Sequence, residues 1–221
     1  AIEGSWLRDR SKRILIAGCA ALAPLATTAI ELSYHVAPSV PQNSYDTLYV
    51  IGDSIAAGMR QGDEHTWPSL LRKKMPAVRV KDLAHPGATV QSALRRQASR
   101  ITKDRAVILL EIGGNDLLGN TSASQFAEQV DALLETVSDR GRLVVMLELP
   151  LTPFANAYGR AQRRLAAKHG AVLIPKSYLA DILADPGNTI DGIHLSKRGH
   201  RSMASMLQKL LKPATSGRST P

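Results

Sequence analysis

The chain has 221 residues, of which 44% are hydrophobic and 21% are charged, values close to those of soluble globular domains. This composition excludes disorder along the whole chain, collagen-like repeats and a polytopic membrane protein. The 28 Lys and Arg residues against 19 Asp and Glu give a formal charge of +9, spread over several clusters. Such clusters can attract anionic lipid, polysaccharide or nucleic acid, but they follow no nucleic-acid-binding pattern. We interpret them as solvated helix faces and expect no nucleic acid partner.

An uncharged apolar run of seventeen residues, Ile14–Ile30, begins immediately after a basic cluster that extends from Arg8 to Arg13. A basic flank before an apolar segment is typical of an export signal or a signal anchor. We rank a signal anchor first, a signal peptide cleaved after Ala29 second, and a lipoprotein signal at Cys19 third. A buried helix of the domain is less favoured because a proline interrupts the run. The leading interpretations place the remaining chain on the extracytoplasmic side, with its N-terminal segment associated with a membrane.

Residues 31–46 contain two prolines and several polar side chains, which predict a linker. From residue 47 onwards, short and nearly continuous apolar runs predict parallel strands that are buried on both faces. These predicted strands are Leu48–Ile51, Val78–Val80, Val107–Ile112, Leu143–Leu147 and Ala171–Ile174. We expect the domain to span residues 47–212 and the tail of residues 213–221 to be frayed.

Helical patterns separate the predicted strands. Ser122 and Gln125 have the spacing of a capping box ahead of an apolar stripe. Thr89, Asn156 and Ser196 precede three further helical stretches, and Gly170 predicts the left-handed end of one of them. Five alternations of strand and helix predict an α/β fold with a doubly wound parallel sheet and helices on both faces. Right-handed crossovers then place every strand-to-helix loop at the carboxyl edge of the sheet.

Four short blocks fall in these predicted edge loops and carry a hydroxyl, an imidazole, carboxylates and a side-chain amide. They are Gly52-Asp53-Ser54-Ile55, His85-Pro86-Gly87-Ala88, Gly113-Gly114-Asn115-Asp116 and Asp191-Gly192-Ile193-His194-Leu195-Ser196. Because the loops share one edge, we expect these side chains to meet in one crevice.

Together these groups are those that acyl transfer through a serine requires. A serine hydroxyl needs a base to take its proton, and His194 is the candidate for activating Ser54. A carboxylate on the other ring nitrogen fixes the tautomer and stabilises the imidazolium, and Asp191 is the candidate. The backbone amides of Ser54 and Gly87 and the side-chain amide of Asn115 are candidate donors for an oxyanion hole.

Three further residues are predicted to support these blocks: Asp53, Gly114 and Asp116. The two carboxylates would orient their blocks through hydrogen bonds to backbone amides. The adjacent Asp63, Glu64 and His65 are interpreted as a solvated loop, because three neighbouring side chains rarely converge on one metal ion. Trp67 is interpreted as core and His200 as a structural partner in the last helix.

The four ordered blocks resemble those of the SGNH (GDSL-type) hydrolase family, from Thr47 to about Leu211. The last block in particular is similar to that of bacterial thioesterase/lysophospholipase-type esterases. The resemblance implies a flavodoxin-like three-layer α/β/α fold with a five-stranded parallel sheet, Ser54 as the nucleophile, and no metal or organic cofactor. The second block departs from the family's pattern, since the asparagine that often precedes Gly87 is absent from the stretch Asp82–Pro86.

We therefore expect a serine esterase that hydrolyses carboxylic esters or thioesters, lipid acyl or carbohydrate acetyl, through an acyl-enzyme on Ser54. The alternatives are an O-acyltransferase acting on cell-envelope glycans and a non-catalytic binding module on the same fold. The apolar residues Leu117, Leu118 and Leu151–Phe154 predict an acyl pocket. We expect a monomer.

Overall fold

The computed structural model of the chain describes residues 38–59, 64–151 and 156–216. The apolar run of residues 14–30, the first part of the predicted linker, Asp63 and residues 152–154 of the predicted acyl pocket lie outside the described residues. Within the described ranges, no helix combines the length and the apolar character needed to span a bilayer.

A five-stranded, fully parallel sheet forms the centre of the domain, as the sequence predicts. Its strands are β1 (Thr47–Gly52), β2 (Arg79–Asp82), β3 (Val107–Glu111), β4 (Leu143–Leu147) and β5 (Val172–Ile174). Their order is β2-β1-β3-β4-β5, so the direction of winding reverses beside β1. In open α/β sheets, ligands bind at the carboxyl ends of the strands at this reversal. The order therefore locates a crevice where β1 and β3 end.

Helices cover both faces of the sheet, which confirms the predicted three-layer α/β/α fold. They are α1 (Ser54–Ala57), α2 (Trp67–Lys74), α3 (Val90–Arg96), α4 (Gly114–Leu118), α5 (Ala123–Val137), α6 (Asn156–Lys168), α7 (Lys176–Ala184) and α8 (Lys197–Thr215). On β1, Leu48 and Val50 pack with α2, α7 and α8, whereas Tyr49 and Ile51 pack with α3, α5 and α6. Alternate side chains of each strand thus enter opposite cores, and continuous apolar runs satisfy both.

The predicted helix starts are confirmed where a side chain caps them. Thr89 and Ser122 form capping boxes at α3 and α5, and the Ser196 hydroxyl accepts from the backbone of Arg198 and Gly199 at α8. The sequence analysis did not predict α2 and α7. Neither has a side-chain hydrogen bond that caps its N-terminus, and α2 begins after Thr66 with a proline in its first turn, a start signal that the sequence analysis missed.

In the described part of the chain, packed residues are also found on both outer sides of the predicted limits at residues 47 and 212. Val40 and Tyr45 are buried in the core, although the sequence assigned them to the linker. The backbone amides of Asn43 and Tyr45 donate to the carbonyls of Pro213 and Ala214, each at 2.9 Å. Those carbonyls belong to the last turn of α8, where intrahelical donors are lacking. Residues 38–46 therefore satisfy the end of a helix that continues to residue 215.

Gly199 is predicted to be essential for stability, because it lets the chain before α8 approach the helix. A Cβ at this position would lie 2.0 Å from the carbonyl oxygen of Asn188. We expect Gly199→Ala to lower the free energy of unfolding by about 3 kcal/mol, since backbone atoms cannot yield as a side chain does. Urea denaturation measures this change.

Gly170→Ala is the matched control. Gly170 has a φ of +64°, but a Cβ there would meet nothing within 4 Å, so this variant adds backbone strain without a clash. Its expected cost is about 1 kcal/mol. Equal stabilities of the two variants would contradict the close-approach argument.

Candidate active site

A tight strand-to-helix turn carries Ser54 at the carboxyl end of β1. Gly52 permits the turn, because a Cβ there would lie 2.7 Å from the Cβ of Ala56. Asp53 caps α1, and its Oδ1 accepts from the backbone of Ile55 at 3.0 Å. The rest of α1 is buried while Ser54 is only partly covered. The turn therefore holds a serine hydroxyl at the open edge of the sheet.

Two buried side chains hold this turn, residues 52–55, from the side of the core. We call it the nucleophile turn, after the role predicted for Ser54. The indole of Trp67 donates to the carbonyl of Ile55 at 3.0 Å, and the backbone amide of Trp67 donates to Nδ1 of His200 at 3.2 Å. Trp67 is fully buried and His200 nearly so. The interpretations of Trp67 as core and of His200 as a structural partner are thereby confirmed. Helices α2 and α8 together hold α1 in place.

Asp191 and His194 lie together in the loop before α8. Oδ2 of Asp191 is 2.6 Å from Nδ1 of His194, and Oδ1 accepts from the backbone amides of Ile193 and His194 at 3.0 and 2.8 Å. These hydrogen bonds, first of all the backbone bond of His194, hold the pKa of Asp191 well below its usual range. A carboxylate that stays ionised on Nδ1 leaves Nε2 for proton transfer.

His194 does not bond to Ser54 but acts on its neighbour Asp53. Burial raises the pKa of Asp53, and the charge of His194 is among the interactions that oppose this rise. In the ranges that the structure describes, no hydrogen bond joins Ser54 Oγ to His194. Catalytic hydrogen bonds are commonly long in a protein without substrate and shorten in the complex.

The Asn115 side chain lies between the first two blocks. Its Nδ2 donates to the carbonyl of Ala88 at 3.0 Å and to Oδ2 of Asp53 at 3.3 Å. Gly87 precedes Ala88 in a turn closed by a hydrogen bond from the Ala88 amide to the His85 carbonyl at 3.1 Å. Gly87 has a φ of +75°, and the space where its Cβ would be is open. The side chain of Asn115 thus joins the loop after β3 to the loop after β2 and to Asp53, the neighbour of Ser54.

The predicted supporting residues stabilise the same blocks. Asp116 is fully buried, and its Oδ2 accepts from the Val90 amide at 2.9 Å, which ties the third block to the start of α3. A Cβ on Gly114 would lie 3.4 Å from Oδ2 of Asp53, so the third block packs directly against the first. Burial raises the pKa of Asp116, and it raises the pKa of Asp53 to about 6.

Glu111 is a buried carboxyl under the nucleophile turn to which the sequence analysis assigned no role. It ends β3 and accepts backbone hydrogen bonds from Asp53 and Ala56. Burial, and then the charge of Asp53, raise its pKa well above its ordinary value of 4.5. In the sequence, such a role is indicated by a glutamate within an otherwise apolar run, two residues before the third block.

Large hydrophobic side chains are exposed around these loops. In the described part of the chain they are Met59, Leu118, Ile190 and Ile193, which we call the apolar rim. Leu118 is 69% exposed, as the predicted acyl pocket requires, whereas Leu151 packs against the core. Each rim residue lies within five positions of Ser54, Asn115 or His194. Exposed large apolar side chains that flank such loops are typical of a surface that contacts an apolar ligand.

The described residues contain no group of His, Cys, Asp and Glu side chains able to hold a metal ion. Glu64 and His65 are both exposed.

This chain is similar to lipases and esterases by family model, by curated relative and by solved structure. The model of the GDSL-like Lipase/Acylhydrolase family matches residues 50–202. Esterase TesA of Pseudomonas aeruginosa is 25% identical over 213 residues, 91% of this chain and 98% of its own. The thioesterase 1/protease 1/lysophospholipase L1 of Escherichia coli K12 is 27% identical over 176 residues, 76% of this chain and 84% of its own. The crystal structure of TesA superposes with a TM-score of 0.67 at 26% identity, covering 76% of this chain and 98% of TesA.

Glu111→Gln tests whether the buried carboxyl holds a proton. Because the pKa of Glu111 is raised in the folded state, the folded protein retains a proton that the unfolded chain releases above pH 4.5. The free energy of unfolding therefore falls as pH rises, by at most about 1.4 kcal/mol per pH unit from this group. We expect Glu111→Gln to gain stability relative to wild type as pH rises from about 5 to 7 in urea denaturation.

Glu135→Gln on α5 is the control, since Glu135 is exposed. Its stability should follow that of wild type at every pH. Parallel stability curves for wild type and Glu111→Gln would show that Glu111 is ionised in the folded protein.

Proposed function

The chain belongs to the GDSL-like lipase/acylhydrolase family and is a serine hydrolase acting on ester bonds, and we propose that Ser54, His194 and Asp191 perform its chemistry. The observation that carries this proposal is the 2.6 Å contact between Asp191 and His194, in a loop whose histidine acts on Asp53, the neighbour of Ser54 on its tight turn. The names of the relatives are those of esterases and thioesterases, so the O-acyltransferase and binding-module alternatives are not favoured.

In the proposed mechanism, Nε2 of His194 takes the proton of Ser54 as Oγ attacks the carbonyl carbon of the ester. The tetrahedral intermediate collapses, the bond to the alcohol or thiol breaks, and His194 returns the proton to that leaving group. Water then attacks the acyl-enzyme with His194 again as the base, releasing the acid and restoring Ser54. Asp191 stays ionised throughout and stabilises the imidazolium.

The proposed oxyanion hole consists of the backbone amides of Ser54 and Gly87 and the side-chain amide of Asn115. Nδ2 of Asn115 donates to Asp53 at 3.3 Å, the longer of its two bonds, and a substrate oxyanion would replace this bond. Removal of one such donor costs about 2.7–4 kcal/mol of barrier in a comparable serine hydrolase.

An apolar acyl group, rather than acetyl, is the substrate that the apolar rim supports. An acyl chain would cover the four exposed side chains of the apolar rim, whereas an acetyl group is too small to contact them. For location, we propose export, since a basic flank precedes the apolar run of residues 14–30. Anchoring in a membrane by that run stays a prediction.

Ser54→Ala is the direct test of the nucleophile. We expect kcat/KM on p-nitrophenyl butyrate to fall by a factor of about 10⁴ or more, with folding unchanged by circular dichroism. Ser99→Ala is the control and should retain full activity, because Ser99 is exposed on the short 3-10 turn Ala98–Arg100. Substantial turnover by Ser54→Ala would rule out the serine mechanism proposed here.

A chain-length profile tests the apolar rim. We expect kcat/KM to rise from the acetate to the octanoate p-nitrophenyl ester, since each buried methylene contributes about 0.8 kcal/mol. Met59→Gln/Leu118→Gln should lower the octanoate value about tenfold, because part of that buried area is lost. The acetate ester is the matched control, which the double variant should hydrolyse as wild type does. Equal losses on both esters would contradict acyl-chain binding at the rim.

A further inference from the structure

A small cavity lies behind the second block, where β2 ends. Its volume is about 90 Å³, and its polar lining comes from His85, Ser92, Arg96, Gln97 and Arg100. We call this cavity the arginine pocket. The sequence analysis interpreted Arg96 as part of a solvated helix face and assigned no role to Arg100, because their convergence with His85 depends on the packing of α3 against the loop after β2.

The arginine pocket adjoins the reacting centre. Ala88 lines it, and the carbonyl of Ala88 accepts the hydrogen bond of Asn115 Nδ2 at 3.0 Å. Strand β2 pairs directly with β1. Gln97 also lines the pocket, and its side chain accepts from the amide and donates to the carbonyl of Gly52, each at 3.0 Å, where the nucleophile turn begins. Leu118 of the apolar rim follows β3, on the other side of β1.

The charge of the pocket is positive. No acidic residue lines it, and the side chains of Arg96 and Arg100 are exposed. Asp82 is the nearby carboxylate: burial raises its pKa, and the charges of Arg72 and Arg100 oppose that rise. No described carboxylate forms an ion pair with Arg96. The two arginines that line the pocket, Arg96 and Arg100, therefore outnumber the one nearby carboxylate.

His85 adds a donor or acceptor to the same pocket. Its Nδ1 lies 2.7 Å from the carbonyl oxygen of Pro86, and since a carbonyl only accepts, Nδ1 carries the proton. Nε2 is then the free ring nitrogen, and in the protonated form it donates to an anion.

We propose that the arginine pocket binds a phosphate group carried by the alcohol portion of the substrate. The proposal deepens the proposed function and rests on it. Guanidinium groups match phosphate oxygens with paired hydrogen bonds, and the cavity has room for one such group. The pocket shares Ala88 with the acceptor of Asn115 and Gln97 with the hydrogen bonds to Gly52, and a pocket so close to the site suits a phosphate a few bonds from the ester, as in an acyl glycerol phosphate. In a coenzyme-type thioester the phosphate is separated from the sulfur by a long arm, which fits an adjoining pocket poorly.

The test compares octanoyl glycerol phosphate with octanoyl glycerol, which differ only in the phosphate. Wild type should have the higher kcat/KM on the phosphorylated ester. In Arg96→Gln/Arg100→Gln we expect the ratio of the two kcat/KM values to fall about tenfold or more, mainly through KM, because charge-assisted hydrogen bonds to phosphate are lost.

Arg95→Gln/Lys103→Gln is the matched control. It also removes two positive charges, but from nearby exposed positions that do not line the pocket. Arg95 bonds to Gln91 instead. It should keep the wild-type ratio. A wild-type ratio in Arg96→Gln/Arg100→Gln, or an equal fall in the control, would overturn the proposal.

Two further measurements distinguish a glycerol phosphate from a coenzyme phosphate and test the esterase activity itself. Octanoyl coenzyme A is compared with a short octanoyl thioester that lacks phosphate. A loss confined to the coenzyme substrate would overturn the assignment to a glycerol phosphate. Hydrolysis of p-nitrophenyl butyrate is measured in parallel, since its absence in wild type would refute the proposed function and not the pocket alone.

Discussion

The carboxyl ends of β1 and β3 lie side by side because Gly52 pairs with Glu111 in the parallel register. Every element of the candidate site depends on this pairing. It places the serine turn after β1 directly beside the block after β3, and it puts the Glu111 carboxyl beneath the turn, where it accepts from Asp53 and Ala56. The close packing leaves no room for a side chain at Gly52. A shift of one residue would turn Glu111 to the other face of the sheet.

Two kinds of carboxyl surround the serine, and their environments assign them different tasks. Asp53, Glu111 and Asp116 are buried, so their pKa values are raised, and they bind backbone amides of the loops. Asp191 is exposed and accepts three hydrogen bonds, so its pKa is lowered and it remains a charged partner for His194. The buried carboxyls thus fix the loops, while hydrogen bonds to the exposed Asp191 preserve the charge that the proposed mechanism requires.

The surroundings of the site are asymmetric in a way that orients a substrate. Leu118 of the apolar rim follows β3, and the arginine pocket follows β2, with the nucleophile turn between them on β1. An ester with an apolar acyl chain on one side and an anionic alcohol on the other would match this arrangement. Apolar contact and charge pairing would then select one direction of binding.

The strands, the capped helices and the four blocks could be predicted from the sequence, because continuous apolar runs, capping boxes and edge loops are local signals. The pairing of Asp191 with His194 could also be predicted, since three residues separate them. The packing of residues 38–46 could not, since the amides of Asn43 and Tyr45 find their acceptors in the distant end of α8. Only the tertiary structure decided that packing, the place of Glu111 and the convergence of Arg96 with His85. These depend on strand register and helix packing, which join residues far apart in the chain and leave no local pattern.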